Sequence, residues 1–477
     1  MKTKKLYLLA LVFFSLIVQL VKAEVKLPAI VSSNMVLQRN STVELWGWAD
    51  ANESFSIKTS WLTEAINIKA NDSGNWSVQV KTTTSKVSQT IEIKTQTTTI
   101  ILENILFGEV WLCSGQSNMF QPLKGYNGQP TFGGSEAIML SENANLRLFT
   151  AHKKASESPL EDLKDFSGWT QASPETVSEF SAVAYFFGKQ LQEILDVPVG
   201  LIHSSWGGSK IEAWISAEVL EELQEDGVPI TPVSKNPQRS PTLLFNAMIN
   251  PLIPYKIKGV LWYQGEANRQ DPNSYKILFP RMVKDWRERW GGEEFPIYYA
   301  QIAPYIYSGD NEYKNKEDNT AYIREAQMEC LDLIPNSGIA ITLDIGEEKF
   351  IHPPKKKDVA DRLLFNALNK TYGYKAIDYA SPTYKSHIVR DGAIILEFNN
   401  INGGLYSKEG LSDFEIAGKD KVFYPAEAQI IEGNKVLVKS HEVVEPAAVR
   451  YGWKNWVRGT LFDTSLLPVS SFRTDKW

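Results

Sequence analysis

Glu109-Val110-Trp111-Leu112-Cys113, running directly into Ser114-Gly115-Gln116-Ser117-Asn118-Met119, decides the fold. A short apolar run that ends in a small, polar, glycine-bearing loop is the pattern of a buried strand opening a site at its carboxyl end. Two more segments repeat it. Val199-Gly200-Leu201-Ile202-His203 leads into Ser204-Ser205-Trp206-Gly207-Gly208-Ser209, and Ile257-Lys258-Gly259-Val260-Leu261-Trp262-Tyr263 leads into Gln264-Gly265-Glu266-Ala267-Asn268. Between the first two, Ser178 to Leu195 sets Val183, Phe186, Phe187, Gln190, Leu191 and Ile194 largely on one helical face, and Pro198 stops the helix. Strands alternating with amphipathic helices predict an α/β domain with a mainly parallel sheet over residues 107–375. Pro122 to Gly134 is a long Gly/Pro/Asn-containing stretch, expected to be a mobile loop over whatever the first strand presents.

The flanks read differently. Residues 24–106 contain Thr42 to Trp48, Phe55 to Thr59, Trp76 to Val80 and Thr90 to Lys94, with a turn at Asn71 to Asn75, which predicts a β-sandwich. Its expected role is structural or sugar-binding. Residues 376–477 return to short strands such as Ala393 to Phe398 and Lys435 to Lys439, expected to pack on the α/β domain or to complete the first sandwich. At the start, basic Met1 to Lys5, apolar Leu6 to Val21 and Val21-Lys22-Ala23 form the pattern of a signal peptide over residues 1–23. The expected location is therefore periplasmic, secreted or surface-associated, with membrane contact only through that signal.

At 477 residues two or three domains are expected. A net charge of −6 with no dense Lys/Arg block argues against nucleic acid as a partner. Cys113 and Cys330 allow one disulfide at most, and their apolar surroundings favour two packed thiols. No H-E-x-x-H or close His/Asp cluster is present, so no metal is expected.

Three polar loops at strand ends suggest one shared site, with Ser117 as a hydroxyl nucleophile and Gly115, Gly207 and Gly208 supplying backbone freedom for oxyanion donors. The G-x-S-x-G elbow is absent, because Met119 fills its last position. The base is sought among five histidines. His152 lies in a Lys/Ser-rich stretch, His387 and His441 fall in the terminal β region, and His203 ends a strand and reads as structural. His352 follows a fourth strand, Gly338 to Asp344, and precedes a helix with Asp358, Asp361 and Arg362, which is a fitting place for a general base.

Gly115 to Met119, Trp206 to Ser209 with Glu212-Ala213-Trp214, Trp262 to Glu266, and Asp344-Ile345-Gly346 followed by Ile351-His352-Pro353 resemble the sialate O-acetylesterase family of the SGNH (GDSL-type) hydrolase superfamily. Asn34 to Arg39, Phe414 to Gly418, Val449 to Trp453 and Phe472 to Asp475 extend the resemblance over nearly the whole mature chain. It implies an SGNH three-layer α/β domain flanked by sandwich-like β regions, and Ser/His acyl transfer, without metal or cofactor, that removes acetyl esters from a sugar. The oxyanion would be held by the Ser117 N–H, by Gly207 or Gly208, and by a side-chain amide. That amide is commonly Asn in the superfamily and here is expected to be Gln264, with Asn268 as a substitute. The acid commonly three residues before the histidine is replaced by Lys349, so a dyad is expected, with Asp344, Glu347 or Glu348 as alternative orienters of the ring. Gln116, Asn118, Glu266, Asn268 and Arg269 are candidate substrate contacts, although Glu266 and Glu212 fit a loop-holding role as well. Acetylated sialic acid is the first substrate expected, and acetylated xylan or another hemicellulose the alternative. A surface glycan-binding protein with an inert α/β domain is the non-enzymatic alternative.

Overall fold

The computed structural model describes residues 25–307 and 319–477, so the expected signal segment lies outside the described residues. Its central sheet comprises β1 (Thr99–Gly115), β2 (Asn143–Thr150), β3 (Thr170–Ala172), β4 (Val199–Ser205), β5 (Gly259–Tyr263), β6 (Ile297–Ala300) and β7 (Ser337–Ala340). The spatial order is β7-β6-β5-β1-β4-β2-β3. Every neighbouring pair is parallel except β2 and β3. From β1 the chain winds first toward β2 and β4, then returns to the other side for β5, β6 and β7. The carboxyl end of β1 is thus the switch point, where such sheets open a crevice for ligand.

Both faces of the sheet are covered, which is why its strands read as nearly continuous apolar runs. Along β1, Trp111 and Cys113 face a core with Leu148, Val183, Phe187, Leu201, Leu261 and Leu363. Val110 and Leu112 face the opposite core with Ile202, Val260, Trp262, Trp286 and Ile323. The first core is closed by helices α2 (Ala182–Leu195) and α5 (Lys356–Asn366), and the second by α3 (Pro272–Arg289) and α4 (Ala321–Leu333). Trp111 is fully buried and donates from Nε1 to Tyr372 Oη at 3.1 Å, so truncating it to Ala costs about 3–5 kcal/mol. The helix expected from Ser178 starts later because Ser181 is its cap, its Oγ accepting from Ala184 N at 3.2 Å. It ends at Asp196, which adopts a left-handed conformation before Pro198. Cys113 and Cys330 are buried free thiols.

At the amino-terminal side, Thr42–Trp48 and Asn75–Lys81 form one antiparallel ribbon. Ser54–Thr59, Ile66–Lys69, Gln89–Lys94 and the first half of β1 form a facing sheet, and Phe55 meets Trp76 edge-on between the two layers. The boundary expected at residue 106 therefore falls inside β1, a single strand shared by the β region and the α/β domain. Of the two arrangements expected for the carboxyl-terminal β region, the one adopted packs on the α/β domain. Buried Arg324 on α4 donates to Gly452 O and Ser471 Oγ, and Gln301 after β6 donates to Ser470 Oγ. Among the described residues no helix is long and apolar enough to cross a membrane.

Candidate active site

The site grows out of the end of β1. Gly115 has φ +136°, and a Cβ there would lie 2.2 Å from Tyr263 O, so only glycine lets β1 hug β5 while turning. The next amide, Gln116 N, donates to that same Tyr263 O at 2.9 Å, and the chain enters the four-residue helix α1 (Ser117–Phe120). Ser117 is its first residue and half-buried, while Asn118 and Met119 are buried. As a first-turn amide, Ser117 N–H has no acceptor within the helix and meets none elsewhere among the described residues. The loop after β4 is tied to this turn by Trp206 N donating to Gly115 O at 3.1 Å. A Cβ on Gly207 would stand 3.3 Å from Ser117 Cβ, so Gly207 lies directly against the serine. The Gly207 and Gly208 amides likewise have no acceptor among the described residues, and Gly208 turns the loop at φ +71°.

The 122–134 loop touches both the serine turn and the histidine. Tyr126 and Gln129 exchange backbone hydrogen bonds at 2.9 and 3.0 Å, forming a tight turn. From it Tyr126 donates its hydroxyl to Ser117 O at 3.1 Å and sets its ring 5.1 Å from that of His352. Gln129 Oε1 faces His352 Nδ1 at 2.6 Å. An amide oxygen only accepts, so Nδ1 carries the proton and the Nε2 lone pair is left for chemistry. Phe132 N donates to Pro354 O at 2.9 Å and fixes the far end of the loop. A second link runs from Asn118 Nδ2 to Ile351 O at 3.2 Å, one residue from Ser117 and one from His352. Ser117 Oγ makes no hydrogen bond to the imidazole; the two groups share Tyr126 as a neighbour. Burial, reinforced by the Lys356 cation, lowers the His352 pKa to about 4, so the ring is neutral at neutral pH.

Several expectations are corrected. Asp344 does not orient the histidine. It forms a two-pronged ion pair with Arg362, both contacts at 2.7 Å, which pins the turn after β7 to α5. Glu347 and Glu348 make no hydrogen bond to the ring, and Glu348 is exposed. The orienting group is Gln129. Gln264 is not placed as an oxyanion donor, because its buried amide nitrogen already donates to Ser209 O at 3.0 Å and Asn268 Oδ1 at 2.8 Å. Asn268 is no substitute, since its Nδ2 donates to Glu212 Oε2 at 2.9 Å and its Oδ1 also accepts from Ile211 N. Glu212 and Asn268 thus hold the second and third loops together. Gln116 does similar work, its Oε1 accepting from Ala267 N at 3.3 Å.

Glu266 is buried beneath the serine turn, where Oε1 accepts from Asn118 Nδ2 at 2.5 Å and burial raises its pKa. Arg269 lies with its guanidinium 4.2 Å from the centre of the Tyr307 ring, and its buried Nε has no partner. His203, as expected, is structural. It is wedged between Phe120 and Phe180, bonded to Ser205 Oγ at 2.6 Å and pushed down to about 3 by burial. Sequence reading missed Tyr126, Gln129 and Lys356. Among the described residues no group of three or more His, Cys, Asp or Glu side chains is placed to hold a metal ion.

The family profile described as carbohydrate esterase, sialic acid-specific acetylesterase, matches residues 108–352. Sialate O-acetylesterase of Homo sapiens is 30% identical over 391 residues, covering 74% of this chain and 72% of that protein. The Mus musculus protein of the same name is 27% identical over 495 residues and covers 89% of each chain. Among solved structures, that of a carbohydrate acetylesterase from Xanthomonas citri shares 34% identity at a TM-score of 0.86, covering 95% of this chain and 100% of that one.

Proposed function

Because the chain belongs to the sialic acid-specific acetylesterase family of carbohydrate esterases, we propose that it removes O-acetyl groups from sialic acid, with Ser117 as nucleophile and His352 as base. Carbohydrate O-acetylesterase activity itself follows from family membership. The observation that carries the assignment to residues is the convergence on Tyr126 of a half-buried serine with free backbone donors and a neutral histidine whose Nδ1 is occupied.

Ser117 Oγ attacks the acetyl carbonyl while His352 Nε2 takes its proton, and negative charge moves onto the carbonyl oxygen. The Ser117 N–H and the Gly207 N–H, with Gly208 beside it, stabilise that oxyanion. Each such donor contributes about 3 kcal/mol to lowering the barrier. The imidazolium then protonates the departing sugar oxygen, leaving an acetyl ester on Ser117. Water, deprotonated by His352, attacks this ester, and the imidazolium returns the proton to Ser117 Oγ as acetate leaves. Gln129 Oε1 keeps the ring in the required tautomer throughout and accepts a stronger hydrogen bond when the ring is charged.

Sialic acid carries a carboxylate, and Arg269, next to the third loop with an unpartnered Nε, is the cation we assign to it. The export pattern of residues 1–23 supports an encounter with glycan outside the cytoplasm. The test is acetate release from O-acetylated sialic acid and from acetylated xylan by wild type, Ser117→Ala and Arg269→Ala. Faster release from sialic acid, lost in Ser117→Ala and selectively weakened in Arg269→Ala relative to an aryl acetate, supports the proposal. Preference for xylan overturns the sialate assignment.

A further inference from the structure

Beneath the reacting pair lies a cation that this scheme does not use. Lys356 is fully buried at the first position of α5, the helix end at which positive charge is disfavoured. Burial pushes its pKa down to about 7, against the opposing pull of Glu266. Lys356 Nζ donates to Asn118 Oδ1 and stands 5.7 Å from the centre of the Tyr263 ring. The nitrogen of the same amide donates to Glu266 Oε1 at 2.5 Å and to Ile351 O at 3.2 Å. Asn118 therefore bridges a buried ammonium and a buried carboxylate, a polarity that fixes its amide in one orientation. Ser117 precedes Asn118, and His352 follows Ile351.

We propose that Lys356 is a positioning residue for the esterase reaction: by holding the Asn118 amide against Glu266 and Ile351 O, it sets the register between the nucleophile turn and the base loop. The inference rests on the reading of Ser117 and His352 given above. A methionine of similar length would fill the same space without the cost of desolvating an ammonium, so packing alone gives no reason for a lysine here. The ionisable groups around Lys356 are Glu266 from the third loop, His352 from the preceding loop, Tyr263 from β5, and Lys355, Lys357 and Asp358 on its own helix. Among these only Glu266 brings a buried opposite charge. Lys357 is turned outward and pairs with Asp361.

The test uses Lys356→Met and Lys356→Arg in the full chain, with kcat, KM and pH profile on an aryl acetate. NMR titration of the His352 ring in a Ser117→Ala background supplies a readout independent of turnover. Lys356→Met is expected to lower kcat about 10- to 100-fold with KM changed less than about threefold, as a small misplacement of reacting groups does. It should also move the His352 titration upward, because the cation that disfavours imidazolium is gone. Lys356→Arg should restore the titration and part of kcat. Wild-type kcat together with an unmoved His352 titration in Lys356→Met overturns the proposal. If Lys356→Met does not fold, Asn118→Ala removes the held amide, and wild-type kcat in that variant overturns the proposal equally. Full activity in Ser117→Ala or in a His352 variant is a different result: it refutes the assignment of the reacting pair.

Discussion

Replacing Gln129 with Leu removes one acceptor and little else, and the structure sets the size of the effect. Gln129 Oε1 is the only partner of His352 Nδ1 among the described residues, at 2.6 Å, and in the proposed mechanism the ring becomes charged as Ser117 attacks. A hydrogen bond to a charged group contributes about 1.5–3 kcal/mol. At about 1.36 kcal/mol per factor of ten, kcat/KM should fall about 10- to 150-fold, chiefly through kcat. Gln129→Glu places a carboxylate on the same atom and should restore turnover at alkaline pH while raising the His352 pKa, so the acid limb of the profile moves upward. Initial rates with an aryl acetate from pH 3.5 to 9 read both effects, with circular dichroism to verify folding. Activity of Gln129→Leu within about twofold of wild type, or an unmoved acid limb in Gln129→Glu, refutes the orienting role of Gln129.

Other expectations follow from the same geometry. Burial lowers the pKa of His352 to about 4, so with His352 as the proposed base wild-type kcat/KM should be flat through pH 6.5 and fall only as the ring is protonated near pH 4; a single inflection at 6.5 in the pH–rate profile contradicts this. Asp344→Asn leaves the buried Arg362 guanidinium without its partly buried carboxylate and should cost about 1.5–3 kcal/mol in urea unfolding while the acid limb stays fixed; a moved limb with unchanged stability returns Asp344 to the role of orienter. Gly115→Ala forces a Cβ onto Tyr263 O at a positive φ and should cost about 3 kcal/mol or more, read as a lower unfolding midpoint and loss of activity.

The strands and loops of the catalytic domain were legible because both relevant signals are local. Buried parallel strands read as apolar runs, and each of the three was followed by its polar loop. Thr42–Trp48 was read to the residue, since alternation and turn residues bound it on both sides. The 106 boundary lies inside β1 because the strand itself runs on while its surroundings change: alternating exposure up to Asn104 gives way to unbroken burial from Ile105, where one sheet hands over to the next. Ser117 and His352 stood out by residue type and position at strand ends. Gln129 did not, because a loop glutamine has no periodicity and its partner lies 223 residues away. Lys356 was hidden inside Lys355-Lys356-Lys357, a run that reads as a solvated face, yet its middle member points inward to Asn118. Asp344 and Gln264 carried the expected chemistry, but their partners, Arg362 and Ser209 with Asn268, were invisible until the fold brought them together. The tight turn and free amides around Ser117 were anticipated from glycine placement, whereas the choice of Gly207 as the residue lying against the serine needed coordinates.

In the proposed mechanism the atom that is acylated is Ser117 Oγ. Treating the protein with a fluorophosphonate and mapping the adduct by peptide mass spectrometry tests this directly. A single adduct on the peptide containing Ser117, absent from Ser117→Ala and formed far more slowly in His352→Ala, is the predicted result. An adduct on another residue, or equal labelling of Ser117→Ala, contradicts it.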